Sequence, residues 1–546
     1  MSRGMWLAGA GGRSDWFPLA AWITGPAFGD AANDLGVVIL PPIGYEYSGS
    51  HRFLRTLAES LAAGGATVVR VDYPGTGDSV GQVEGLDSLE AWRCVLPVAL
   101  SYLRDRGIRR VALIGCQLGA TLALLDGPAL QPAGIVAIAP VMSGKRFLRA
   151  LNLIGISDPD GSGGVAHGGH YFARPVLDEI KALTVSNPED VPVLSIVDDP
   201  RVAAFMERPA EEAEVDSSLV VEIADWIGAL AHQRERSWPA GGESNAEARL
   251  SWEGHEITER FVTVGPDELV GVLTRPASDD GVRRLLVLLN SGSDPHTGPG
   301  RAWVELARHM AICGNSTLRV DLRGWGESPD GPSVPGRPFD EHAVDDVARL
   351  VSALAAEGYE DIVLGGLCSG AWFAMQAARQ VPVRGIVALN APLYWQPGDP
   401  ILAVASAVRA YRLDEIASIK SDAAAGRWDA EDAAGIRPPS ARLLDDLAHL
   451  GQRTSLIFAD DDDGLEYLHD RLARRIRALT ASGVIRVVEM PAGVDHSLHH
   501  TWLRPVAYGV IASEVDRLVG GSVSLDRSTS RSPMATLTAG TARQFS

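Results

Sequence analysis

A long internal repeat limits the possible folds of this chain more than any other feature. One unit of short apolar runs and helical stretches is written twice, at an offset of about 250 residues, the size of one large domain. Val37-Val38-Ile39-Leu40-Pro41-Pro42 reads as a buried strand entering a loop, and Leu286-Val287-Leu288-Leu289-Asn290-Ser291 is its counterpart. A helical stretch follows each, Arg52 to Ala62 and Ala302 to Met310. Next come Val69-Arg70-Val71-Asp72-Tyr73-Pro74-Gly75-Thr76-Gly77-Asp78-Ser79 and Leu318-Arg319-Val320-Asp321-Leu322-Arg323-Gly324-Trp325-Gly326-Glu327-Ser328. Further on, Ile114-Gly115-Cys116-Gln117-Leu118-Gly119 matches Gly365-Gly366-Leu367-Cys368-Ser369-Gly370, and Gly134 to Pro140 matches Gly385 to Pro392.

The apolar runs show no alternation, as expected of strands covered on both faces. Their succession with amphipathic helices predicts an α/β fold, a mostly parallel sheet with helices on both faces, present twice. The second copy opens on Glu259 to Val264 and Leu269 to Thr274, polar-interrupted stretches that predict an antiparallel hairpin at the sheet edge. A chain of 546 residues is too long for one core. The expected division is a first domain over 1–236, a linker over 237–253, a second domain over 254–519 and a tail over 520–546. Apolar periodicity disappears around Pro239-Ala240-Gly241-Gly242-Glu243-Ser244-Asn245, and the Ser-, Thr- and Arg-rich tail is expected to be disordered.

The second copy carries the chemistry. Gly366-x-Cys368-x-Gly370 sits between the apolar run Ile362-Val363-Leu364 and a helical stretch from Ala371. A strand, a glycine-flanked tight turn and a helix make a nucleophile elbow, here with a thiol in place of the usual hydroxyl. The helix N-terminus beneath it favours a thiolate and a developing oxyanion. A buried cysteine in a Gly-rich turn is the plainer reading of these residues alone. In the first copy Gln117 stands at the elbow, and an amide cannot be activated as a nucleophile. Cys116 precedes the apex and should point away from it. Asp198 and Asp199 supply an acid there, but no histidine follows until His232, beyond a further helix. His167 and His170 have a metal-like spacing, yet no third ligand is apparent in that Gly-rich segment.

Both copies resemble the α/β-hydrolase fold. Leu40-Pro41-Pro42-Ile43-Gly44-Tyr45-Glu46-Tyr47, the Asp72 to Ser79 phrase and Gly366-Leu367-Cys368-Ser369-Gly370-Ala371 are similar to bacterial hydrolases near the serine aminopeptidase family and to those found beside exosortase systems. The resemblance covers most of the chain outside the linker and tail, and the fold hosts many reactions. It implies the chain order nucleophile, acid, histidine. After the strand Ser455-Leu456-Ile457-Phe458 the family register selects Asp462, with Asp460 and Asp461 left open. After the last strand it selects His496, with His499 and His500 read as surface residues or displaced candidates. One oxyanion donor would be the N–H of Ser369, the other that of Gly292 in the loop after the first core strand. His296 and Trp325 fall in loops at the same end of the sheet, either touching substrate or lying at the surface. The helical segment between Pro392 and Ser455 is expected to form a lid.

These residues imply acyl transfer through a thioester on Cys368, with a small-molecule or carrier-bound ester or thioester as substrate and no cofactor or metal. The rival readings are a peptidase or lactone hydrolase of the same fold, and a binding or scaffold protein with both copies silent. The net charge of −20 argues against nucleic acid or anionic membrane as the main partner. The four cysteines, Cys94, Cys116, Cys313 and Cys368, match neither a disulfide framework nor a zinc set. No apolar run of about twenty residues occurs, and Met1 to Leu7 does not read as a signal peptide. A reduced, cytoplasmic protein is the expectation.

Overall fold

The computed structural model describes residues 2–9, 16–26, 33–82, 85–232, 245–278, 283–393, 439–460 and 462–520. The two copies form two separate sheets. In the first the strands lie in the order Ser2–Leu7, Leu19–Thr24, Thr67–Val71, Leu35–Leu40, Arg110–Cys116, Gly134–Ile138 and Val193–Ile196. In the second the order is Glu247–Trp252, His255–Val264, Leu269–Pro276, Ser316–Val320, Arg284–Leu288, Asp361–Leu367, Gly385–Leu389, Thr454–Phe458 and Ile485–Glu489. From Thr67–Val71 and Ser316–Val320 onward all pairings are parallel, and the strands before them are antiparallel. The central strands are buried apart from Arg284 at the start of one, because helices such as Glu46–Ala63 and Ala302–Ile312 cover the sheet faces. This is why their residues are apolar without a two-residue period.

Two features differ from the sequence reading. The strand Glu247–Trp252 lies inside the stretch read as linker, so the second unit begins before residue 254. It pairs with His255–Val264 through a two-residue Glu253-Gly254 turn, with both residues at positive φ. Its polar positions face outward in alternation, a half-exposed pattern that gave no apolar run. The first unit also opens on an antiparallel pair, Ser2–Leu7 with Leu19–Thr24, which the sequence reading did not assign. Most of the expected lid, residues 394–438, and the tail beyond 520 lie outside the described residues.

The units pack through the same loop of each copy. Arg70 of the first unit makes two bonds to Glu327 of the second, at 2.8 and 2.7 Å. The equivalent Arg319 reaches back to Asp78, the counterpart of Glu327. An internal repeat has thus become a pseudo-two-fold interface in which one patch meets its own copy. Its surroundings are asymmetric. His296 is clamped between Asp78 at 2.8 Å and Asp321 at 2.6 Å. Burial opposes its charge, but the two carboxylates push it up to about 10. Glu327 is instead shared between Arg70 and His51, the latter at 3.1 Å. Arg301 and Arg308 complete the seam by donating to the carbonyls of Gly77, Asp78 and Ser79.

Candidate active site

The strand Asp361–Leu367 runs into the helix Ser369–Ala377 with one residue between them, Cys368. Its backbone is held at φ 54° and ψ −115°, a conformation that L-residues rarely adopt. The glycines on either side allow the tight turn. A Cβ on Gly366 would fall 2.2 Å from the Gly370 carbonyl carbon, and one on Gly370 would fall 2.7 Å from the Asn290 oxygen. The sulfur side of the turn is partly exposed in a pocket of about 260 Å³ that also contains His496.

Asp462 and His496 come together at the neighbouring strand ends. Asp462 caps the helix Asp463–Arg471 by accepting the Gly464 N–H at 2.8 Å through one oxygen. Its other oxygen lies 2.5 Å from His496 Nδ1. That contact leaves Nε2 free of Asp462, and Cys368 lines the same pocket as the ring. Burial works against charge on this ring, yet Asp462 and Cys368 raise it to about 10. Of the alternatives left open, Asp460 is exposed and Asp461 lies outside the described residues. His500 turns away, with its Nδ1 2.9 Å from the Gly493 carbonyl. His499 lines the Cys368 pocket with its side chain 41% exposed.

Other expected residues are placed differently. Gly292 was expected to aim its N–H at an acyl oxygen. Its N–H instead donates to the buried Ser369 hydroxyl at 2.9 Å, because at φ +54° the loop turns back onto the helix start. The Ser369 N–H, first in its helix, has no acceptor among the described residues. Neither His296 nor Trp325 reaches the pocket. His296 is held in the inter-unit ion pairs, and Trp325 is buried with its Nε1 donating to the Gly292 carbonyl at 2.9 Å. No group of three or more His, Cys, Asp or Glu side chains is placed for a metal among the described residues, and His170 instead lines the Cys368 pocket.

A sequence model of the alpha/beta hydrolase family matches residues 37–296 and again 286–508. The chain belongs to the alpha/beta hydrolase family. Among solved structures it is similar to the esterase Est22, at 15% identity over 50% of this chain and 82% of that one, with a TM-score of 0.32. A Pyrococcus furiosus esterase is 16% identical over 48% of this chain and 91% of its own, with a TM-score of 0.34. The thioesterase domain from the curacin biosynthetic pathway is 16% identical over 49% and 98%, with a TM-score of 0.28. No curated protein sequence matches the chain. Among the described residues no helix is long and apolar enough to cross a membrane.

Two features of this hydrolase-family site escape a reading of motifs. The first is Asn390, at φ 45° after the strand Gly385–Leu389. Its Nδ2 donates to the His496 carbonyl at 2.7 Å, and its Oδ1 accepts the Ala459 N–H at 2.8 Å. One side chain therefore ties the histidine loop to the strand end that carries the acid. An asparagine replacing Ala139 of the first copy is the only trace of this in the sequence. The second is that the pocket has two owners. Tyr45, Glu46, Ser48, His170, Arg208 and Glu211 of the first unit line it beside Cys368 and His496 of the second. Nothing in a periodicity pattern reports contacts between residues so far apart in the chain.

Proposed function

We propose that the protein is an acyl hydrolase or acyltransferase acting on an ester or thioester through an acyl-thioester at Cys368. The observation that carries this reading is the juxtaposition of Cys368, at a strained elbow, with a histidine whose far nitrogen is bonded to Asp462. The sulfur, as thiolate, attacks the acyl carbon, and the carbonyl electron pair moves onto oxygen beside the Ser369 N–H. Collapse of that oxyanion expels the leaving group, which takes the His496 proton. Neutral His496 then draws a proton from water or another acceptor. The acceptor attacks the thioester and the Cys368 thiolate departs. Asp462 holds the ring orientation and offsets the imidazolium charge throughout. The substrate is a small-molecule or carrier-bound acyl group, and the reaction needs no cofactor.

The test is intact mass of the wild type and of Cys368→Ser and Cys368→Ala after mixing with a panel of acyl thioesters and activated esters, alongside turnover. A Cys368 acyl adduct that turns over in the wild type is expected. Cys368→Ser should lose roughly a hundredfold or more in kcat, about 2.7 kcal/mol of barrier. Failure of every acyl donor to label the wild type would favour a binding protein, the state the first unit has already reached.

A further inference from the structure

The loop beneath the expected oxyanion site is gripped from both units. On the second unit's side, the Gly292 N–H is bound by Ser369 Oγ and the Gly292 carbonyl by Trp325 Nε1, each at 2.9 Å. On the first unit's side, the carboxyl of Glu211 lies against the Gly292–Ser293 turn. Glu211 lies so close that a Cβ on Gly292 would fall 2.2 Å from its Oε1. One residue further, Asp294 shares the pocket wall with Ser48, in the first turn of the first unit's helix Glu46–Ala63. Glu211 itself is carried on the short 3₁₀ turn Ala210–Glu212, which packs against that same helix. Glu211, Ser48 and Cys368 all line one pocket.

We propose that the first unit completes the active site of the second, with Glu211 as a positioning residue that fixes the Gly292–Ser293 turn and, through the Gly292 N–H bond to Ser369 Oγ, the helix start whose Ser369 N–H would meet an acyl oxyanion. The proposal rests on the acyl-transfer reading of Cys368. Its physical basis is preorganisation. An oxyanion is stabilised only by groups already in place, and donors that must be reordered during the reaction lose that advantage. Gly292, at φ +54°, gives the loop a conformational freedom that other residues lack. Ser369 removes that freedom on one side and Glu211 on the other. Gly292 also explains the close approach, since no side chain could stand between Glu211 and the loop. A unit without nucleophile or base thereby keeps a reason to stay docked.

Two reactions of the same sulfur separate this role from general damage. Alkylation by iodoacetamide displaces iodide and develops no oxyanion. Acylation by p-nitrophenyl acetate or an acyl thioester does develop one. Full-length Glu211→Ala should be alkylated at Cys368 within about twofold of the wild-type rate, yet acylated at least tenfold more slowly. The loss should fall in kcat and leave KM little changed. Glu211→Gln keeps an oxygen against the Gly292–Ser293 turn and should recover most of the acylation rate. Ser48→Ala trims the pocket wall beside Asp294 and should show the same selective loss to a smaller degree, which preserves the test should Glu211→Ala fold poorly. Equal losses in both reactions, unchanged acylation, or a Glu211→Gln as slow as Glu211→Ala would overturn the proposal. A wild type that alkylates at Cys368 but is acylated by no donor would instead overturn the acyl-transfer reading.

Discussion

The two elbows have nearly the same backbone and different side chains. Gln117 sits at φ 52° and ψ −117°, Cys368 at φ 54° and ψ −115°. Each leads from a buried strand into a helix, and each accepts the same strained geometry. In the first unit the Gln117 Oε1 accepts the N–H of the next residue, Leu118, at 3.1 Å. That N–H is the counterpart of the Ser369 N–H, so the first elbow's own side chain occupies a donor that the second leaves without an acceptor among the described residues. The loop opposite carries Pro41 and Pro42, which have no N–H to offer. Ala139 stands where Asn390 ties the acid strand to the histidine loop. Strain at a turn is therefore retained by the fold, since strand, helix and glycine neighbours over-determine it, whereas chemistry depends on what each side chain does with the freed N–H groups.

The contrast can be broken most severely at the sulfur. Cys368→Ala should remove the covalent intermediate and nearly all turnover, read by intact mass and steady-state rate. Full activity in that variant would equate the two elbows and end the comparison. The second test concerns the shared loops. Asp78→Asn strips a charge from a site where Arg319 and His296 are both buried against it. Breaking a buried pair from one side costs about 3–5 kcal/mol, so thermal unfolding should shift down by several degrees. A variant as stable as wild type would mean the seam contributes nothing to holding the units together.

A finer test uses the paired aspartates Asp72 and Asp321. Asp321 faces His296, which holds its carboxyl below the ordinary range against the opposing effect of burial. Burial, then the charge of Asp78, pushes Asp72 up to about 6. A carboxyl raised on folding contributes stability below its unfolded pKa of about 3.9 that is lost as pH climbs through the folded value. Asp72→Asn should therefore gain on the wild type by a few degrees of Tm between pH 4 and pH 7. Asp321→Asn should show no such gain. Equal pH profiles for the two variants would erase the difference. The smallest effect is expected at Gln117. Its side chain accepts the Leu118 N–H and interacts with Glu46. Gln117→Ala should keep turnover within about threefold, and a loss of orders of magnitude would show that the first elbow takes part in the reaction.

Legibility in the sequence followed the range of the interactions. The parallel strands could be read because burial on both faces forces unbroken apolar runs such as Val111-Ala112-Leu113-Ile114. The strand Glu247–Trp252 could not, since half of its residues face water and its neighbours resemble a linker. The sequence could place Gly292 in the loop after its strand, but the direction of its N–H is set by Ser369 Oγ, a contact across 77 residues. The choice among Asp460, Asp461 and Asp462 rested on family register, and the structure puts Asp462 beside His496 because that residue caps the following helix.

By itself the sequence determined that this protein is one α/β unit written twice, with a thiol at one elbow and an amide at the other. Those are consequences of local pattern: buried runs, glycine spacing and residue identity, each set within a few neighbours along the chain. Only the tertiary structure decided that the copies meet through the same loop, that His296 is held in the seam, and that Glu211 of the first unit reaches the loop beside Cys368. Those depend on where charged side chains from distant parts of the chain can shed water together. Such pairings are fixed by the packing of two finished sheets.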